Sequence, residues 1–341
     1  MSPKRTLLLV ALTFVTVACI CCPTNLVLFP PTPTLPPTDT PVSTDTPTPI
    51  FTPGPCSDAA CQQACPGLLA SIVSASEGYS PLKTSGGGTE SKDSVHILVR
   101  YPVDGDTLGN ASFHAAPADL EAYQQDAAAH QSIWDFFTSI IPAEQRPMVN
   151  EFVIFTDGDY EYLAAVERDS SDLNHWALKV DIADAGDHKA LAATLLHEFA
   201  HLLTLNNDQV YAAYYNCPVD YINPGCGRAN SYIDEFYQTF WVDIYDEWAA
   251  VNALPEGKVR DQKMAEFYYT HQTHFLTAYA STEPAEDIAE SWTYFILVPP
   301  PTAHTTGARK IMFFYEFSEL VQLRSEITAR LCEYFLNPAN P

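Results

Sequence analysis

The stretch from Ala190 to Leu205 constrains this chain more than any other. It contains neither Pro nor Gly, and Leu191, Leu195, Leu196, Phe199, Leu202, Leu203 and Leu205 spread over nearly every face of the helix it would form. A helix that is apolar all round has to be buried. Yet its centre reads His197-Glu198-Phe199-Ala200-His201. Burying two imidazoles and a carboxylate together is costly unless they are paired or hold a metal ion. The expected fold therefore wraps around this helix and supplies partners for its polar residues.

The spacing of those residues points to metal chemistry. His197 and His201 are one turn apart on the same face, where both rings can chelate one ion. Glu198 is rotated about 100° from His197, so it need not ligate and can reach a metal-bound water as general base. Zinc is the expected ion, and a catalytic zinc needs a third protein ligand and an open position. Asn207 and Thr204 stand where the metzincin pattern would place His and Gly, which excludes that arrangement. Two later segments offer a carboxylate: Asp234-Glu235, and Glu286 within Glu283-Pro284-Ala285-Glu286-Asp287-Ile288-Ala289-Glu290. Pro284 suits the first turn of a helix and the acidic residues after it suit its N-terminus. Glu286 and Glu290 then share a face, so one can bind zinc while the other, with Asp287 beside it, supports a ligating histidine. His271 and His274 belong to no motif and read as surface or second-site histidines.

Elsewhere, Val95–Tyr101, Glu151–Phe155 and Trp176–Ile182 alternate like strands. A helical stretch at Ser57–Ser76 carries Pro66, which predicts an interruption. Helical spacing recurs at Ala118–Ile141, Tyr232–Val251, Lys258–Thr270, Pro284–Leu297 and Ala308–Phe335, and there is no internal repeat. Strands first and helices after predict an α+β fold, with a small mixed sheet and a predominantly helical C-terminal half. With 47% hydrophobic residues among 341, the chain can bury a sizeable core.

The N-terminus predicts export. Lys4 and Arg5 precede an almost wholly apolar run, Thr6–Ala18, as in a secretory signal. Val17-Ala18-Cys19 resembles a bacterial lipobox, with Thr16 where Leu is usual. The apolar residues continue through Cys22 and return at Leu26–Phe29, so an uncleaved anchor is the alternative. Residues 1–22 are expected to attach the chain to the membrane through a lipid or an anchor, or to release it as a secreted protein, and in each case the rest lies outside the cytoplasmic membrane. Residues 23–55 are rich in Pro and Thr and should form an extended spacer, leaving 56–341 as the folded domain. The 42 acidic and 17 basic residues give a net charge of −25, which excludes nucleic-acid binding by phosphate neutralisation. Six of the nine cysteines lie beyond the leader, an even number that suits disulfides outside the cytoplasm. Cys217 and Cys226 are expected to pair, as is Cys332 with one of Cys56, Cys61 and Cys65.

His197-Glu198-Phe199-Ala200-His201, Tyr279 seven residues before Glu286, and the Glu286–Glu290 pair together resemble the protease domain of anthrax lethal factor and related gluzincins. The resemblance covers only the motif helix and Tyr279–Trp292, and the two are separated by about eighty residues, more than in lethal factor. It implies a zincin-like fold and a zinc endopeptidase acting on peptide or protein substrates. His197, His201 and Glu286 would be the ligands, Glu198 the base and Tyr279 the oxyanion-stabilising donor. It also implies that Trp176–Ile182 lines the cleft and pairs with extended substrate. The long gap keeps Glu235 as a rival ligand. A binding module with zinc in a structural role is the alternative from another class.

Overall fold

The computed structural model describes residues 59–76, 95–158, 162–168, 174–212, 217, 221–222, 225–337 and 340. The leader, the spacer and Cys56 lie outside them. Helix α1 (Ala59–Ser76) is followed by strands β1 (His96–Asp104), β2 (Thr107–Leu108) and β3 (Ser112–Phe113), then by helices α2 (Glu121–Gln125) and α3 (Ala127–Ile140). Next come β4 (Val149–Thr156), β5 (Ala164–Arg168), β6 (Trp176–Asp181) and the motif helix α4 (His188–Thr204). Short strands β7 (Val210–Ala212), β8 (Tyr221–Ile222) and β9 (Gly225–Gly227) lead into α5 (Tyr232–Phe240), α6 (Tyr245–Asn252), α7 (Lys258–Thr270), α8 (Pro284–Leu297), α9 (Thr306–Phe313) and α10 (Ser318–Leu336). The fold is α+β, as its element order predicts.

The main sheet runs β2-β1-β4-β6-β5, with β3 pairing β1. It is mixed: β4 and β6 are parallel and the other pairs antiparallel. Its core face packs on α3, with Trp134 5.3 Å from Phe152 between ring centroids. The strand expected to line the cleft, Trp176–Ile182, is flanked on both sides by β4 and β5. Its backbone groups are committed to those ladders, so it has no edge to offer a substrate. The edge is β5, whose sequence, Ala-Ala-Val-Glu-Arg, carries little strand signal.

Several helices depart from the sequence pattern for local reasons. Pro66 lies inside α1, which continues through it. The expected Ala118–Ile141 helix breaks at Asp126, whose carboxylate caps α3 by accepting from the Ala129 N–H at 2.9 Å. The chain turns again at Trp241–Ile244 and Phe314–Phe317, splitting two other long stretches.

Among the described residues, two disulfides close the fold. Cys217–Cys226 joins the segment after α4 to β9, and Cys65–Cys332 ties α1 to α10. Both agree with the expected pairing, and they are consistent with an extracytoplasmic location. No helix among the described residues is long and apolar enough to cross a membrane.

Candidate metal centre

Helix α4 starts where the Asp187 carboxylate accepts from the N–H groups of Lys189 and Ala190, both at 3.1 Å. It ends where the Asn206 amide donates to the carbonyls of Leu202 and Leu203. Between these caps Leu191, Leu195, Leu196, Phe199 and Leu202 are wholly buried. His197, Glu198 and His201 are buried with them. Helix α8 begins with Pro284 in its first turn and packs against α4, with Trp292 6.0 Å from Phe199 between ring centroids.

This packing brings Glu286 to both motif histidines. Its Oε2 lies 2.9 Å from His197 Nε2 and 3.4 Å from His201 Nε2, and the two Nε2 atoms are 3.2 Å apart. Two donors each about 2.0–2.2 Å from one zinc ion, at tetrahedral angles, stand about 3.3–3.6 Å apart. The triangle of Nε2, Nε2 and Oε2 is close to that size, and its chemistry of two imidazoles and a carboxylate is that of catalytic zinc ligands. The electrostatics agree. Burial opposes a charge on His197, but Glu286 and Glu290 overcome it and raise its pKa well above the ordinary value. Burial alone would raise the Glu286 carboxyl, but His201 and His197 hold it well below the usual carboxylate range. The donor set favours a positive charge held between these groups.

Glu290 holds the back of His197: its Oε1 is 2.8 Å from Nδ1. A carboxylate there fixes the tautomer that carries hydrogen on Nδ1 and directs the Nε2 lone pair toward a metal. Glu290 Oε2 in turn accepts from the Thr277 hydroxyl at 2.7 Å. Sequence reasoning missed Thr277, because a threonine thirteen residues before Glu290 carries no spacing signal. A 3-10 turn at Tyr279–Ser281 folds it back onto α8.

Asp287 does not support a ligating histidine. It points to the other side of α8, where its Oδ2 accepts from the Trp241 indole at 2.7 Å and pairs with the Lys310 ammonium. Residues one apart on a helix diverge by about 100°, so Glu286 and Asp287 cannot both face the histidines. Glu235, on α5, makes no hydrogen bond or ion pair with His197 or His201 among the described residues.

Glu198 Oε2 accepts from the Val166 N–H of edge strand β5 at 2.8 Å. Burial raises the pKa of its carboxyl. The Tyr279 ring stands 5.7 Å from that of His197. Burial, followed by the carboxylates Glu286 and Glu198, raises its pKa far above that of a free phenol, so the hydroxyl keeps its proton. The structure thus gathers His197, His201, Glu286, Glu290, Glu198 and Tyr279 in one place.

His271 and His274 lie elsewhere. His271 pairs with Glu247, and His274 is half-buried with its Nε2 2.6 Å from the Phe240 carbonyl. Burial, reinforced by Lys310, pushes the His274 pKa down to about 4. A histidine with a folded pKa below its unfolded value contributes stability above about pH 6.5 that is lost as pH falls toward the folded pKa. The stability difference between the wild type and His274→Gln, measured by urea unfolding at a series of pH values, is expected to fall in that direction.

The ligand assignment has its own test. Glu286→Ala is expected to lower zinc affinity by more than Glu290→Ala, which should lower it about 10–100-fold, the usual effect of removing a carboxylate behind a ligating histidine. Glu235→Gln should leave it unchanged. Competition with a chromophoric chelator reads all three. No family model, curated protein or solved structure matches the chain.

Proposed function

We propose that this protein is a zinc-dependent endopeptidase of the gluzincin type, with a zincin-like fold, acting outside the cytoplasmic membrane and attached to it by its N-terminal lipid or anchor. The observation that carries the reading is the convergence of His197, His201 and Glu286 beside Glu198, a buried carboxylate of the same motif that lies close enough to both imidazoles to share a metal site and to which we assign the role of general base. A purely structural site has no use for it.

His197, His201 and Glu286 would hold the ion. Zinc supplies Lewis acidity toward a peptide carbonyl and acidifies water at neutral pH. Glu198 accepts the proton of the attacking water and returns it to the departing amide nitrogen. Its raised pKa suits a group that must both take and give that proton. Tyr279 keeps its hydroxyl hydrogen and donates a hydrogen bond through it to the carbonyl oxygen as negative charge develops there. Glu290 and Thr277 keep His197 oriented throughout. Extended substrate adds to the free edge at β5, which lies against Glu198, by strand pairing.

The test is digestion of a mixed peptide library by the full-length, zinc-loaded protein, read by mass spectrometry beside its zinc content. Cleavage that is lost with a chelator and restored by zinc supports the reading. One bound zinc without cleavage would favour a binding protein, and failure to bind zinc would overturn the whole assignment.

A further inference from the structure

A second group of carboxylates lies at the far end of the sheet. Asp157 follows β4, Asp181 ends β6, and Asp184 sits in the turn between β6 and α4. One carboxylate oxygen from each lies within 4.8 Å of the others. Strands β4 and β6 are parallel neighbours, and this juxtaposes their C-terminal ends. Asp157 is 2% exposed and Asp181 is fully buried.

The polar contacts of the pair leave it incomplete. Asp181 Oδ2 accepts from the Asp157 N–H at 2.9 Å, and its Oδ1 accepts from the Ala183 N–H at 2.7 Å. Asp157 Oδ2 has a long contact with the Tyr162 N–H, at 3.4 Å. Asp157 Oδ1 is buried and has no hydrogen-bond partner among the described residues, while the Asp157 and Asp181 carboxyls lie close enough to share a proton. The neighbouring charges bearing on these groups are themselves carboxylates: Asp184 on Asp157, and Asp157 on Asp181. Neither Asp157 nor Asp181 has an ion pair with Lys, Arg or His among the described residues. Burial pushes Asp181 up to about 6 and raises Asp157 as well. Buried carboxylates in this position either share a proton or bind a cation.

We propose that Asp157, Asp181 and Asp184 form a calcium site that ties the C-terminal ends of β4 and β6 to the entry of the metal helix. The donors are all carboxylate oxygens, with Asp157 and Asp181 buried and Asp184 half-buried. That suits Ca2+, which accepts protein oxygens in flexible geometry, better than Mg2+, which retains its waters. Asp157 Oδ1 takes the ion as its missing partner. The remaining coordination comes from backbone carbonyls and water. The bound ion joins the end of β4 to the turn from Asp181 to Asp187, which caps α4.

Isothermal titration of the full-length protein with CaCl2, at saturating zinc and neutral pH, tests this site independently of any peptidase activity. One Ca2+ per chain is expected, with an affinity of about 10⁻⁴–10⁻³ M, typical of extracellular modules. Asp157→Asn should weaken it at least about tenfold, as should Asp184→Asn, which leaves the most buried pair intact should the first variant fold poorly. Calcium should also raise the thermal midpoint of the wild type and not of the variants. No calcium binding by the wild type up to about 10 mM, roughly tenfold above that range, would overturn the proposal in favour of a shared-proton pair. Binding that survives both substitutions unchanged would overturn it too, because the ion would then sit elsewhere.

Discussion

Glu198→Gln is expected to reduce peptide hydrolysis by about 10²–10⁴-fold, the usual contribution of a positioned general base, while zinc content stays at that of the wild type. The structure makes this substitution unusually clean. Glutamine is nearly isosteric and keeps a side-chain oxygen, so the bond from the Val166 N–H survives and edge strand β5 stays in place. Only the capacity to take a proton is removed. His197, His201 and Glu286 are untouched, and the zinc affinity of the variant reads their integrity directly. Equal zinc with lost cleavage would assign Glu198 as the base. Lost zinc would place Glu198 among the ligands and contradict the division of roles proposed above. Full activity would mean that the chemistry lies elsewhere in the molecule.

Lys310→Ala is expected to destabilise the fold by about 3–5 kcal/mol, the usual penalty for leaving a buried charge without its partner. Asp287 and Lys310 are both completely buried. Burial raises the Asp287 pKa to about 6 and lowers that of Lys310, while each stabilises the charge of the other. The ammonium also lies 4.4 Å from the centre of the Phe275 ring, so its removal forfeits a cation–π contact as well. The double variant Asp287→Asn, Lys310→Met should recover most of the loss, because no unpaired charge remains. Urea unfolding of Asp287→Asn, of Lys310→Met and of the double variant completes the cycle. Asp287 is next to Glu286, so zinc affinity in the same variants reports whether this pair also positions the third ligand. Equal stability of all three variants and the wild type would show that the pair adds nothing to the fold.

The two helices that build the site are legible in the sequence, because their signals are local. Pro284 marks the start of α8, and the unbroken apolar run marks α4. The partnership of Glu286 with His197 and His201 depends on contacts across some ninety residues, and in the sequence it is favoured over Glu235 only by Tyr279, by Glu290 one turn on and by the resemblance to lethal factor. The misread features are set by non-local contacts. Strand β5 contains two alanines and alternates only weakly; it is a strand because β6 pairs with it. Which strand has a free edge is a property of the sheet order, and no single strand encodes it. Asp287 was placed with the site because it is adjacent to Glu286, although helical geometry turns it toward Lys310. The breaks at Asp126 and Trp241 fall inside patterns that remain helical on both sides, so periodicity alone runs through them.

The Cys65–Cys332 bond joins residues 267 apart in sequence and so encloses nearly the whole folded domain in one covalent ring. A single cut anywhere inside that ring opens a loop but releases no fragment. Both pieces stay attached, and the packed interface between α1 and α10 has nowhere to diffuse. For a molecule exposed to proteases, surface damage is thereby separated from physical loss. A nicked chain would run at full mass without reductant and as two bands with it, and its metal centre, held on α4 and α8 within the ring, can outlast the break.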